Sequence, residues 1–369
     1  MPKTIAITPS WYWPAGIPRV VGIPPYSIYE LCVLRPAREW PAHPAIYNAG
    51  DTITFEELRD EVEGRAETLR SGSSNALPLE GTLTRDSLLQ LLAGLAAQRL
   101  VSVGTDDVPA LDPVPSLASP RSMGEQTRHI YEPAVVIPGT SGPVAHSNRS
   151  LFAAALSLAT FFDVVPGRAW LPLLPLDRWE TLAAVVAALY LGSPIVMPSA
   201  KPDPEASAAQ IKRYGVGYAL GELETAASMT REAKKAVKDA RGVLLAWLLA
   251  THGSFEPDQR SRVARAFESP ALTFWGLPET GPVFASHQSW YLDESVGIPV
   301  TNAHVVPADP RNGQPIAALW ELVESAEVTV WSPSLFVAGQ FDSGRFAGQR
   351  YRTGMSGSSD ANGMIYLLG

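Results

Sequence analysis

The chain has 369 residues, of which 46% are apolar and 18% charged, with a formal charge of −8 and a single cysteine, Cys32. That apolar share excludes a disordered chain, and the acidic balance argues against nucleic acid, whose phosphates call for clustered Lys and Arg. One cysteine permits no internal disulfide, and residues 1–14 lack a cationic start leading into an apolar run, so the expectation is a cytoplasmic protein.

The first 50 residues are rich in proline and tryptophan, with little periodicity before 27–34, and read as an extended arm laid over a larger body. A strand follows at 44–48, then a turn at Gly50 and Asp51, then a helix whose Thr54 and Glu57 have capping-box spacing. Residues 86–98 read as a helix, 100–103 as a strand and the proline-rich 105–120 as a loop between subdomains. The β-branched run Val135, Val136, Ile137 predicts a short buried strand, and Gly139, Thr140, Ser141 and Gly142 a small-residue turn. Ser147 and Asn148 then cap a helix over the apolar run 151–162. Strand, glycine turn and helix in that order form a phosphate cradle, with backbone N–H groups at the turn and the helix start facing an anion.

From 135 to 274, short apolar runs alternate with helical stretches, the pattern of a doubly wound sheet. Strands are expected at 169–173, 194–197, 216–220, 242–249 and 271–274. One helix starts at Asp177 and Glu180 and ends at Gly192; another starts at Asp203 and Pro204 and ends at Gly215. The longest apolar stretch, 182–197, is broken by Gly192, Ser193 and Pro194, so it predicts a buried helix feeding a buried strand and no membrane span. The charged stretch 231–241 reads as a solvated helix face. Beyond Ser295 the texture turns to strands and tight turns. The expected fold is therefore α/β, with doubly wound mixed sheets, helices between them and a smaller β-rich subdomain. Three divisions are expected: an arm and first α/β subdomain over 1–130, a second α/β subdomain over 131–290, and the β-rich subdomain over 291–369.

Five motifs resemble those of the adenylate-forming superfamily, which includes acyl-CoA synthetases, peptide-synthetase adenylation domains and luciferases. Residues 44–58 are similar to its early strand, turn and helix. Gly139, Thr140, Ser141, Gly142, Val144, His146 and Asn148 match its phosphate loop and the His-x-Asn that follows, although the loop is about three residues short and has no lysine. Trp275, Gly276 and Glu279 match its adenine and magnesium loop, with Pro278 where the family has a threonine. Residues 296–299 and 326–333 resemble its β-subdomain, where Tyr351, Arg352, Thr353 and Gly354 match four of the five residues of "Y-[RK]-T-G-D". The fifth is Met355, which cannot accept the two ribose hydrogen bonds that the aspartate takes. The string from Asp360 matches a last strand and ends at Gly369, where the family has its hinge, so its mobile C-terminal domain with a catalytic lysine is expected to be absent. The alternative is that the natural chain continues past that residue.

The resemblance implies a remnant nucleotide site of Gly139, Thr140, Ser141, Gly142, Trp275, Glu279 and Thr353, with Glu279 as its metal ligand. Each lost transition-state donor typically costs about 2.7 to 4 kcal/mol, so two independent losses slow adenylation on the order of ten-thousand-fold or more. The expected protein is thus acyl-CoA ligase-like, has lost ATP-dependent adenylation, and acts as a binding or partner protein in acyl or carrier-protein metabolism. No cofactor is expected; ATP and Mg enter only if the degenerate site is still competent. Its partners would be an acyl or aryl small molecule, free or as a CoA or carrier-protein thioester, and a protein. The alternatives are an enzyme of ATP-independent thioester chemistry in the same cavity and a truncated or atypical ligase. For the thioester chemistry, Ser141 and His146 are the candidate catalytic pair, although Pro143 spoils the G-x-S-x-G elbow. The six histidines and one cysteine show no metal-ligand spacing.

Overall fold

The structure is a computed structural model that describes residues 13–72, 76–105, 111–114, 129–199, 203–251, 257–288, 292, 294–316, 323–341, 343–360 and 363–368. Helices begin where the sequence supplies caps. At Phe55–Ser71 the Thr54 hydroxyl accepts from the Glu57 N–H while the Glu57 carboxylate takes the Thr54 N–H. Thr84 with Ser87 and Ser147 with Ser150 make the same reciprocal box at Arg85–Ala96 and Asn148–Phe161. Each box satisfies two donors that a helix start would otherwise leave unpaired. Trp179–Tyr190 is apolar nearly all round and buried along its length, packed against Asn148–Phe161.

The largest sheet runs in the order Ile298–Pro299, Gly281–Ala285, Ala271–Leu277, Ala246–Ala250, Val216–Glu222, Ala169–Pro172, Ile195–Val196, Pro44–Asn48 and Asp51–Thr54. Its central strands are parallel and its outer ones antiparallel. Alternate residues face opposite sides, as the pleat requires. Trp170, Leu220 and Leu248 point into one apolar core, and Leu171, Ala219 and Leu249 into another. Helices cover both faces, which is why these strands read as continuous apolar runs.

A six-stranded sheet has the order Ala76–Leu79, Leu100–Val103, Pro133–Ile137, Val144–Ser147, Ala338–Gly339 and Asp112–Pro113. A five-stranded sheet of His304–Ala308, Val323–Trp331, Arg350–Ser359 and Phe346–Ala347, with Ile365–Leu368 beside Arg350–Ser359, forms the β-rich part. The architecture is the α/β fold with mixed sheets and a β-rich portion that the sequence predicts. Pro44–Asn48 lies in the largest sheet beside strands from 169–299, and Ala338–Gly339 lies beside Val144–Ser147. No helix among the described residues is long and apolar enough to cross a membrane.

Three local readings need correction. Between the turn at 139–142 and the helix lies a strand that the sequence reading lacks: Val144–Ser147 pairs antiparallel with Pro133–Ile137, and the helix starts at Asn148 with Ser147 as its N-cap, as expected. The apolar residues Val144 and Ala145 find the ladder partners Ile137 and Val136. Likewise residues 51–54 form a strand returning along Pro44–Asn48, not simply the end of a turn. The strand expected over 242–249 is Ala246–Ala250, because Val243 N–H bonds back to the Ala240 carbonyl in the turn closing the helix Lys234–Asp239, and Gly242 N–H bonds to the Phe267 carbonyl at the end of Pro257–Phe267.

Candidate functional site

The hairpin turn of 139–142 is closed by a hydrogen bond from Gly139 N–H to the Gly142 carbonyl. Both glycines are required by close approach. A Cβ on Gly139 would lie 2.5 Å from the Gly142 oxygen and 3.0 Å from a Glu279 oxygen, and one on Gly142 would lie 2.7 Å from the Gln340 side chain. Val144 is fully buried beneath the turn, and Ala338–Gly339 pairs alongside it, with Gln340 N–H donating to the Pro143 carbonyl. The turn is compact, with apolar surface below it and a strand beside it.

The two Thr140 donors are engaged. The Thr140 N–H donates to Glu279 Oε1 at 2.7 Å and the Thr140 hydroxyl to the same oxygen at 2.6 Å. The Glu279 side chain is 2% exposed, and its Oε2 is buried without a hydrogen-bond donor. Tyr351, 1% exposed, brings its hydroxyl onto Thr140; burial, and then the neighbouring Glu279 charge, push its phenol well above the usual range.

Three contacts fix the turn that carries Glu279. His146 Nε2 meets the Pro278 carbonyl at 2.7 Å, Phe336 N–H donates to the Glu279 carbonyl at 2.9 Å, and the Ser334 hydroxyl donates to the Thr280 carbonyl at 2.7 Å. Since a carbonyl only accepts, Nε2 carries the proton, which leaves Nδ1 to accept from the Ser150 hydroxyl at 3.3 Å. Burial depresses the imidazole pKa to about 4, partly offset by the Pro278 bond, so the ring is neutral at ordinary pH. His146 acts here as a clamp between two loops. Ser141 is exposed at the tip of the turn, and no hydrogen bond joins it to His146.

The other half of the region is apolar. Trp275 is 2% exposed and stacks on Phe284, its antiparallel partner, at a centroid distance of 5.7 Å. Both lie in a cluster with Val283, Val296, Val305, Val328, Val330 and Ile365, and Met355 packs against it. The buried Thr353 hydroxyl donates to the Val328 carbonyl at 2.8 Å and accepts from Met355 N–H at 3.1 Å. Arg352 is held by Glu327, whose second oxygen accepts from Gly354 N–H. Of the motif 351–354, Arg352 and Thr353 thus bond within the β-rich sheet, while the Tyr351 hydroxyl reaches Thr140. No group of three or more His, Cys, Asp or Glu side chains among the described residues could hold a metal ion.

The structure brings Gly139, Thr140, Gly142 and Glu279 together, and places Trp275 and Thr353 in and beside the apolar cluster. Two participants escaped the sequence reading as site residues: the Tyr351 hydroxyl, whose only signal is its place ahead of Arg352 in the motif, and Gln340, which has none. A parallel-centred α/β sheet with a glycine hairpin facing a glutamate turn defines the adenylate-forming class of fold. The chain belongs to the AMP-binding enzyme family, whose model matches residues 139–337, just over half of it.

Among solved structures, it is similar to O-succinylbenzoate coenzyme A synthetase MenE from Bacillus subtilis, in complex with ATP and magnesium ion. The TM-score is 0.74 at 16% identity, over 92% of this chain and 79% of that one. Apo MatB from Rhodopseudomonas palustris gives 0.77 at 15%, over 93% and 79%. The luciferase-like enzyme from the nonluminescent mealworm Zophobas morio gives 0.76 at 13%, over 96% and 98%. At such identities the likeness establishes the fold. No protein of curated function matches the sequence.

Proposed function

We propose that this chain is an AMP-binding-family protein that has lost ATP-dependent adenylation and serves as a binding or partner protein in acyl or carrier-protein metabolism. The observation that carries this reading is that the turn and the apolar cluster are each completed by the chain's own side chains: Glu279 on Thr140, and Met355 on the cluster of Trp275. For a phosphate to take the Thr140 donors, Glu279 would have to leave a fixed turn or remain about 4 Å from a second anion. At an effective dielectric near 20 that repulsion costs about 4 kcal/mol for each pair of unit charges. The ligand in this reading is an acyl or aryl molecule, free or as a thioester, and the protein is cytoplasmic.

Isothermal titration with ATP and Mg at millimolar nucleotide is expected to show no saturable heat; micromolar binding would overturn the reading. Met355→Asp alone is expected to release no pyrophosphate in the presence of acyl acids, because it supplies a ribose acceptor while the Thr140 donors stay occupied. Acyl-adenylate formation by that single variant would show the short turn to be competent.

A further inference from the structure

We infer that the Glu279 carboxylate is a built-in ligand of the 139–142 turn, an anion supplied in cis that excludes free anions from it. The inference deepens the proposed function by naming how the polar half of the region is closed. Three observations support it. Glu279, 139 positions along the chain, places one oxygen on both Thr140 donors at charge-assisted distances of 2.6 and 2.7 Å. Gly139 leaves only enough room for that oxygen, since a Cβ there would lie 3.0 Å from it. The glutamate's own turn is pinned by His146, Ser334 and Phe336, so the carboxylate is held in place by contacts that do not involve the turn it fills.

Taking the carboxylate away should then leave a small oxyanion site, with the Thr140 N–H and hydroxyl as donors and the Tyr351 hydroxyl beside them. The probe is inorganic pyrophosphate, followed by phosphorus NMR and titration on the full chain. Wild type is expected to bind it at least about a hundredfold more weakly than Glu279→Ala, because a fixed like charge is removed. Glu279→Gln keeps the acceptor and the shape but not the charge. It is expected to fall between the two, and it keeps the test alive if the alanine variant does not fold. Adding Thr140→Val to either variant removes the hydroxyl but leaves the backbone N–H, and should reduce the gain. Without any ligand, hydrogen exchange at the Thr140 amide should be slow in wild type and at least about tenfold faster in Glu279→Ala.

Equal pyrophosphate binding by wild type and both variants, or Thr140 exchange unchanged by Glu279→Ala, would overturn the inference. The outcome is separable from the proposed function. ATP binding by wild type sinks the proposed function, whereas silent wild type together with silent variants sinks only the built-in ligand.

Discussion

The two halves of the region reach a filled state by opposite chemistry. Around Thr140 and Glu279 the contacts are polar: the exposed Thr140 gives both its donors to one oxygen of the buried Glu279. Around Trp275 and Met355 the filling is apolar packing between a hairpin of the large sheet and the β-rich sheet. In the first half Thr140 and Glu279 match the family motifs and bond to each other; in the second Met355 stands where the motif has an aspartate. A motif match by itself thus does not say what its side chains bond to in the folded chain.

The comparison can be broken most strongly from the apolar side. Trp275→Ala removes a large side chain that is almost wholly buried and should cost about 3 to 5 kcal/mol in chemical denaturation. A loss near zero would mean that the cluster is not a packed unit.

Acid should act next, through His146. Its folded pKa of about 4 lies below the unfolded value of 6.5, so the folded state favours the neutral ring. That contribution is fully present above pH 6.5 and is lost as pH falls from 6.5 through about 4; at one pKa unit per 1.36 kcal/mol it amounts to about 3 kcal/mol. Burial lowers the pKa of His287 and His304 as well, with the same sign, so the measurement that isolates His146 is the difference between wild type and His146→Gln across that window. A slope unchanged by the substitution would remove His146 as the acid-sensitive clamp.

The smallest effect belongs to Ser141→Ala. The residue is exposed at the turn tip, so stability should move by no more than about 0.5 kcal/mol, and acyl-thioester turnover, if assayed, should not change. A fall in turnover would give Ser141 the nucleophile role that its placement does not support.

Much of the fold was legible because its signals are local. Thr54 with Glu57 and Ser147 with Ser150 close their caps within three residues, and the apolar run through Trp179–Tyr190 declares a buried helix whatever lies around it. The glycine turn was legible as a turn, but whether its donors faced outward was not. Val144–Ser147 is only four residues long, too short for its alternation to stand out from the helix that follows.

By itself, the sequence determined the α/β alternation, the helix starts, the glycine turn and the family to which its motifs point. Those follow from hydrogen bonds within a few residues and from the side-chain periods of helix and strand. Only the tertiary structure decided that Glu279 meets Thr140, that Trp275 lies against Phe284 beneath the β-rich sheet, and that His146 reaches Pro278 instead of Ser141. The partners in the first and last of these contacts lie more than 130 positions apart, so no local pattern encodes them. They are set by how three sheets and their shared cores bring distant strands and turns together, and that placement decides which partners the motif side chains meet.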